Sequence, residues 1–184
     1  MKNFIYFLSI LIIGLGFNSC KCTHEIIVEE TVKADREVMA ARSNNDYIWF
    51  ETEVVFKDYL DEENDGKIEK VINTFEIVTQ IDSTSADVWV YKFTHTNSGV
   101  NEQKIHDFVL EDRPLNDRPI KLSFKEAYEK VKECNYPKPH SHFAVLREAV
   151  DPTVDNPEWI FGNFERNITV DTVTGEITYY SDEE

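Results

Sequence analysis

Between residues 47 and 110 apolar and polar side chains alternate in long runs broken by turn chemistry, a two-residue period that fits extended strands and no helix. Strands are predicted at 48–60, 67–81, 86–95 and 102–110. In the third, Trp89, Tyr91 and Phe93 alternate with Val88 and Val90, so both faces are apolar and the strand is placed centrally. The second carries Val71, Phe75, Ile77 and Ile81 on one face. Asn64-Asp65-Gly66, Asp82 to Ser85 and Asn97-Ser98-Gly99 supply the reversals, so residues 46–117 read as an antiparallel β meander. Twelve Phe, eight Tyr and three Trp suit half-buried strands and argue against disorder.

Arg113-Pro114 through Arg118-Pro119 separates the meander from the carboxy-terminal third of the chain. Ser123-Phe124-Lys125-Glu126 is a capping box, with Leu122 and Ala127 placed as a hydrophobic staple. Phe124, Ala127, Tyr128 and Val131 share one helical face, which must cover a sheet, and Asn135 and Pro137 end the helix. Further strands are predicted at 142–150, 158–164 and 168–180, the last folded over Thr174-Gly175. There Asp171 is placed to bond the turn backbone, with Val170 and Ile177 packing on either side.

Helix, strand, Trp-containing strand and terminal hairpin, in that order, resemble a PepSY-like domain. The matching residues are Phe124 to Ala127, Val145-Leu146-Arg147, Pro157 to Gly162, and the run Val170-Asp171-Thr172-Val173-Thr174-Gly175-Glu176-Ile177. The resemblance covers about 119–180 and assigns 118–184 to a PepSY-like helix and sheet unit. It implies binding or restraint of a protein partner and carries over no catalytic residue. The fold class expected is therefore α+β, an antiparallel meander followed by a helix-plus-antiparallel-sheet unit. The length suits one domain, or two half-domains sharing a core.

Residues 1–19 read as an export signal, with Lys2 before an apolar run over 4–17 and the small residue Ser19 at its end. The run is too short for a stable membrane span. The stretch resembles the signal of bacterial lipoproteins of the Bacteroidetes type, with Phe17-Asn18-Ser19-Cys20 as a relaxed lipobox. That resemblance implies cleavage before Cys20 and acylation there, anchoring the chain to one leaflet. Lys21 is not the aspartate of inner-membrane retention, so an outer-membrane destination in the cell envelope is expected, either periplasmic or surface-facing. Residues 20–45, charged and poor in aromatics, read as a tether with a short helix over 31–41, in which Val32 and Met39 lie one heptad apart.

The formal charge is −16, and removal of Lys2 with the signal makes it −17, which repels phosphates and sets nucleic acid aside as a partner. The acids are scattered, in keeping with solubility. Cys22 and Cys134 are open to pairing in an oxidising compartment, although nothing in the sequence brings them together, and Cys134 reads equally as a buried thiol. Asp61 to Gly66 resembles the start of a calcium loop, but Ile72 stands where the bidentate Glu is needed, so a solvated hairpin tip is the reading. His140 and His142 lack an announced third ligand, with His95, His106 and Cys134 the remote candidates, so no metal site is expected. Asn167-Ile168-Thr169 matches a glycosylation acceptor, which the bacterial-type signal makes accidental. Nucleophile elbows, phosphate loops and Cys-x-x-Cys pairs are absent.

The expectation is a lipid-anchored envelope protein acting as a non-catalytic protein-binding or inhibitory module, without cofactor. Its partner is expected to be an envelope or secreted protein, and its only membrane contact the lipid anchor. The alternative is a small-molecule or glycan-binding lipoprotein that uses exposed aromatics such as Trp49, Trp89 or Trp159 as a platform.

Overall fold

The computed structural model describes residues 25–44, 46–60, 66–80, 86–106, 114–149 and 153–182. Two helices and eight strands occur in the order α1 (Val28–Ser43), β1 (Ile48–Phe56), β2 (Ile68–Gln80), β3 (Ala86–Thr96), β4 (Gly99–His106), α2 (Phe124–Glu133), β5 (Phe143–Glu148), β6 (Pro157–Gly162), β7 (Arg166–Asp171) and β8 (Ile177–Ser181). All strands belong to one sheet, ordered β4-β3-β2-β1-β5-β6-β7-β8, with every pair of neighbours antiparallel. The fold class is α+β, as expected.

The order is symmetric about the β1–β5 junction. Each half is a helix followed by a four-strand meander, and the first strands of the two halves pair through Thr52 with Leu146, Glu53 with Val145, Val54 with Ala144 and Val55 with Phe143. Both halves contribute to one core.

Alternation along the strands sends Trp49, Val54, Phe56, Val71, Phe75, Phe93, Leu146, Trp159, Phe161, Ile168 and Val170 to one face, where they form the core. Both helices cover that face. The capping box of α2 forms in full: Ser123 Oγ accepts from Glu126 N, and the Glu126 carboxylate accepts from Ser123 N at 2.8 Å. Phe124, Ala127, Tyr128 and Val131 are its buried residues, the face the spacing predicts. Phe124 meets Trp159 edge-on at 5.0 Å and lies 6.0 Å from both Phe56 and Phe161, so α2 spans both halves.

The tether expected over 20–45 is corrected. Residues 28–43 form a sixteen-residue helix whose Val28 and Met39 belong to the core. Its buried face also carries two polar residues, Thr31 and Asp35, which weaken the amphipathic signal. Their partners come from the sheet. Asp35 Oδ2 accepts from Asn73 Nδ2 and bonds His95 Nε2, both at 2.7 Å; Asn73 Nδ2 also donates to Thr31 Oγ1, and Asn73 Oδ1 accepts from Thr52 Oγ1 at 2.8 Å. Trp49 Nε1 completes the network by donating to Thr52 Oγ1. Each of these polar groups therefore has a partner, which makes a buried acid under a helix tolerable.

Strand bounds differ from expectation mainly at the ends: β1 closes at Phe56, β4 begins at Gly99, and 107–110 lies outside the described residues. A bulge between Trp49 and Glu51 interrupts the β1 ladder, a departure that alternation alone does not announce. The terminal hairpin turns as predicted. Asp171 Oδ1 accepts from the amides of Val173 (2.7 Å) and Thr174 (2.8 Å), and Gly175 takes φ +73°. Burial pushes the Asp171 carboxyl up, but the hydrogen bonds from Asn156 and these two amides outweigh it and hold the group below its ordinary value.

Replacing Asp35 by Ala strands the buried Asn73 amide and removes the partner of half-buried His95, and should destabilise the protein by about 2 kcal/mol in urea titrations, with Asp35→Asn falling between it and the parent. A loss of only a few tenths would mean the network is dispensable. Because the Asp171 carboxyl titrates lower when folded, its contribution is present above its ordinary pKa and is lost as pH falls through the folded value. Melting temperature should thus drop below about pH 4, and Asp171→Asn should make that acid limb shallower. Glu126, held low by Ser123, preserves part of the limb in the variant.

Candidate functional site

With both helices on one face, no helix of the described residues lies over the other face of the sheet. Register assigns Val55, Lys70, Ile72, Lys92, Phe143, Val145, Arg147 and Ile160 to that second face. Val55, Ile72, Val145 and Ile160 are half-buried, and Phe143 is 36% exposed. They lie on β2, β1, β5 and β6, so a mixed apolar and charged surface crosses the junction of the two halves. The same face buries Thr74, Glu76, Val88 and Val90 toward the β2–β3 side. β4 and β8 are the sheet edges, and β4 is exposed along nearly its whole length.

On the helix side, a groove of about 610 Å³ opens between α1 and the segment 118–123 that leads into α2. Its floor is Trp49, Leu146 and Trp159, from three strands that meet at the junction, each at most 4% exposed. The segment is held down by backbone pairing: Leu115 N donates to Trp49 O at 2.8 Å, and Asn116 brackets β1, Oδ1 accepting from Trp49 N and Nδ2 donating to Tyr47 O.

Charges around the groove are unevenly matched. Arg118 is bidentate to the buried Glu148 at 2.6 and 2.9 Å, which raises its pKa further. Glu29 reaches across from α1 to accept from Phe124 N at 2.6 Å, satisfying a free amide at the start of α2. Arg36 lies 5.3 Å from the Trp49 ring centroid and donates to Tyr47 Oη and Asn116 O, both at 3.2 Å. Lys33, Lys121 and Glu37 complete the charged rim.

The aromatic platform is not what the three tryptophans form. Trp49 and Trp159 are core residues, and Trp159 buries its indole N–H without an acceptor among the described residues. Trp89 is half-buried, with Lys104 Nζ 3.9 Å over its ring and its Nε1 donating to Asp87 at 2.8 Å. That bond, with His106 at 2.6 Å, holds the half-buried Asp87 carboxyl below its ordinary value.

His140 stacks on Tyr59 at 3.9 Å between ring centroids, and His142 meets the same ring at 3.6 Å, tilted by 39°. Among the described residues no three His, Cys, Asp or Glu side chains gather as a metal-ligand set. Asp61 to Asp65 lie outside the described residues, as do Cys20 and Cys22. Cys134 is a half-buried thiol just past α2, and its Sγ donates to Val131 O at 3.1 Å. Sequence reasoning missed Arg36 and the groove, because both depend on α1 packing that its weak amphipathic pattern concealed.

Trp159→Ala removes a wall shared by Phe124 and the groove floor and should cost about 3 to 5 kcal/mol in chemical denaturation. An unchanged midpoint would move Trp159 from core to surface. No protein-family model matches the chain, and neither a curated protein nor a solved structure does.

Proposed function

We propose that this chain is a lipid-anchored envelope protein whose PepSY-like unit serves a non-catalytic role, binding or inhibiting another envelope or secreted protein. The observation that carries the reading is the placement of both helices on one side of an eight-stranded sheet. The other side crosses the β1–β5 junction with no helix of the described residues over it and presents half-buried apolar residues among charges, the composition of a surface that docks against protein. The exposed edge strand β4 offers a second mode, addition of a partner strand. The anchor reading rests on the signal-like segment and Cys20; no helix of the described residues is long and apolar enough to cross a membrane.

Affinity capture from solubilised envelope should return a protein partner. Phe143→Glu, which places a charge on the second face, should abolish that capture while leaving the melting temperature within a few degrees. Cys20→Ala should move the protein from the membrane to the soluble fraction. Capture that survives Phe143→Glu together with charge substitutions on β4 would overturn the docking reading, and a Cys20→Ala variant that still sediments through high salt would overturn the anchor.

A further inference from the structure

Arg36 is a half-buried cation with no carboxylate partner among the described residues. The chain has 35 acidic and 19 basic residues, and two other arginines with partners in view, Arg42 and Arg118, each hold a carboxylate in a two-point grip. Arg36 is half-buried at the groove wall and has only a phenol and a carbonyl as hydrogen-bond partners. Those two bonds use two of its five N–H groups, leaving Nη1 and one Nη2 hydrogen for a further acceptor. Partial desolvation of a cation without a counter-charge is unfavourable, and no carboxylate among the described residues supplies one.

The surroundings specify what would. Lys33 and Lys121 stand on the same rim with no side-chain hydrogen bond or ion pair among the described residues, against Glu37 and a Glu29 already engaged with Phe124 N. The rim is therefore locally cationic on a strongly acidic protein, which favours an anion and disfavours a cationic or phosphate-crowded polymer. Below it the floor of Trp49, Leu146 and Trp159 is apolar and aromatic. A volume of about 610 Å³ falls in the range typical of small-molecule sites, roughly 300 to 1,000 Å³.

We propose that the groove between α1 and residues 118–123 binds a small carboxylate with an apolar body, its carboxylate held two-point by Arg36 and its body against Trp49, Leu146 and Trp159. A planar two-oxygen anion matches the guanidinium edge that Tyr47 and Asn116 leave free. The site lies on the helix face, opposite the second-face docking surface, so each stands or falls by itself.

The test uses the full chain carrying Cys20→Ala, so that no acyl chain of its own competes. Decanoate, a naphthoate and a steroid carboxylate are titrated, each beside its methyl ester, by calorimetry and by tryptophan fluorescence, to which Trp49 and Trp159 of the floor contribute. At least one acid should bind saturably and more weakly as salt rises, with its ester at least about tenfold weaker. Arg36→Gln, which keeps donors for Tyr47 and Asn116, should weaken the acid by about tenfold and leave the ester unchanged. Because Arg36 also braces the segment, the double variant Lys33→Gln and Lys121→Gln supplies an independent reading, with a smaller loss expected for the acid alone. Lys92→Gln, on the second face, should change nothing. The proposal is overturned if no acid binds saturably at millimolar concentration, if acid and ester bind alike, or if neither set of rim variants affects the acid.

Discussion

The pairing of β1 with β5 is the constraint on which the rest of the structure depends. It joins two helix-plus-meander halves into one sheet, and it sets Thr52 beside Leu146 and Val54 beside Ala144 at the centre of the core. Without it each half would be a four-stranded sheet with an open edge along β1 or β5, a liability for aggregation. With it, the two remaining edges fall on β4 and β8. The junction also gathers Trp49, Leu146 and Trp159 from three strands, so the groove floor is a product of the joining and belongs to neither half alone.

The helices complete the two halves by different means. On α2 a strong apolar stripe enters an aromatic cluster of Phe56, Phe161 and Trp159. On α1 the buried face is part apolar and part polar, and Asp35 binds the sheet through Asn73 and His95. Such a network adds little net stability compared with an apolar packing of equal volume, but it is costly to break and tolerates only one register of helix against sheet. It thereby fixes the rotation of α1, and with it the direction in which Arg36, one residue on, faces Trp49 and Asn116.

Much of this was legible in the residues. The strands were, because alternation and Asx-Gly turn chemistry are local signals, and the Asp171 turn and the Ser123 capping box could be read atom by atom. That the Phe124 face of α2 must cover a sheet followed from its amphipathic spacing, and the structure sets Phe124 against Trp159 there. Helix α1 was not legible as a core element, since Thr31 and Asp35 sit where apolar residues would announce it. The β1–β5 junction and the groove were not legible either, because contacts between residues as distant in the chain as Thr52 and Leu146 leave no periodic trace.

Continuity of the sheet through its centre is most directly tested by native-state hydrogen exchange at residues 52–55 and 143–146. The account predicts that the ladder-bonded amides of both segments exchange only by global unfolding, with one common free energy that matches denaturant titration. If the two segments exchanged with clearly different free energies, or either exchanged as fast as the β4 edge, the halves would be opening separately and the single-sheet account would be contradicted.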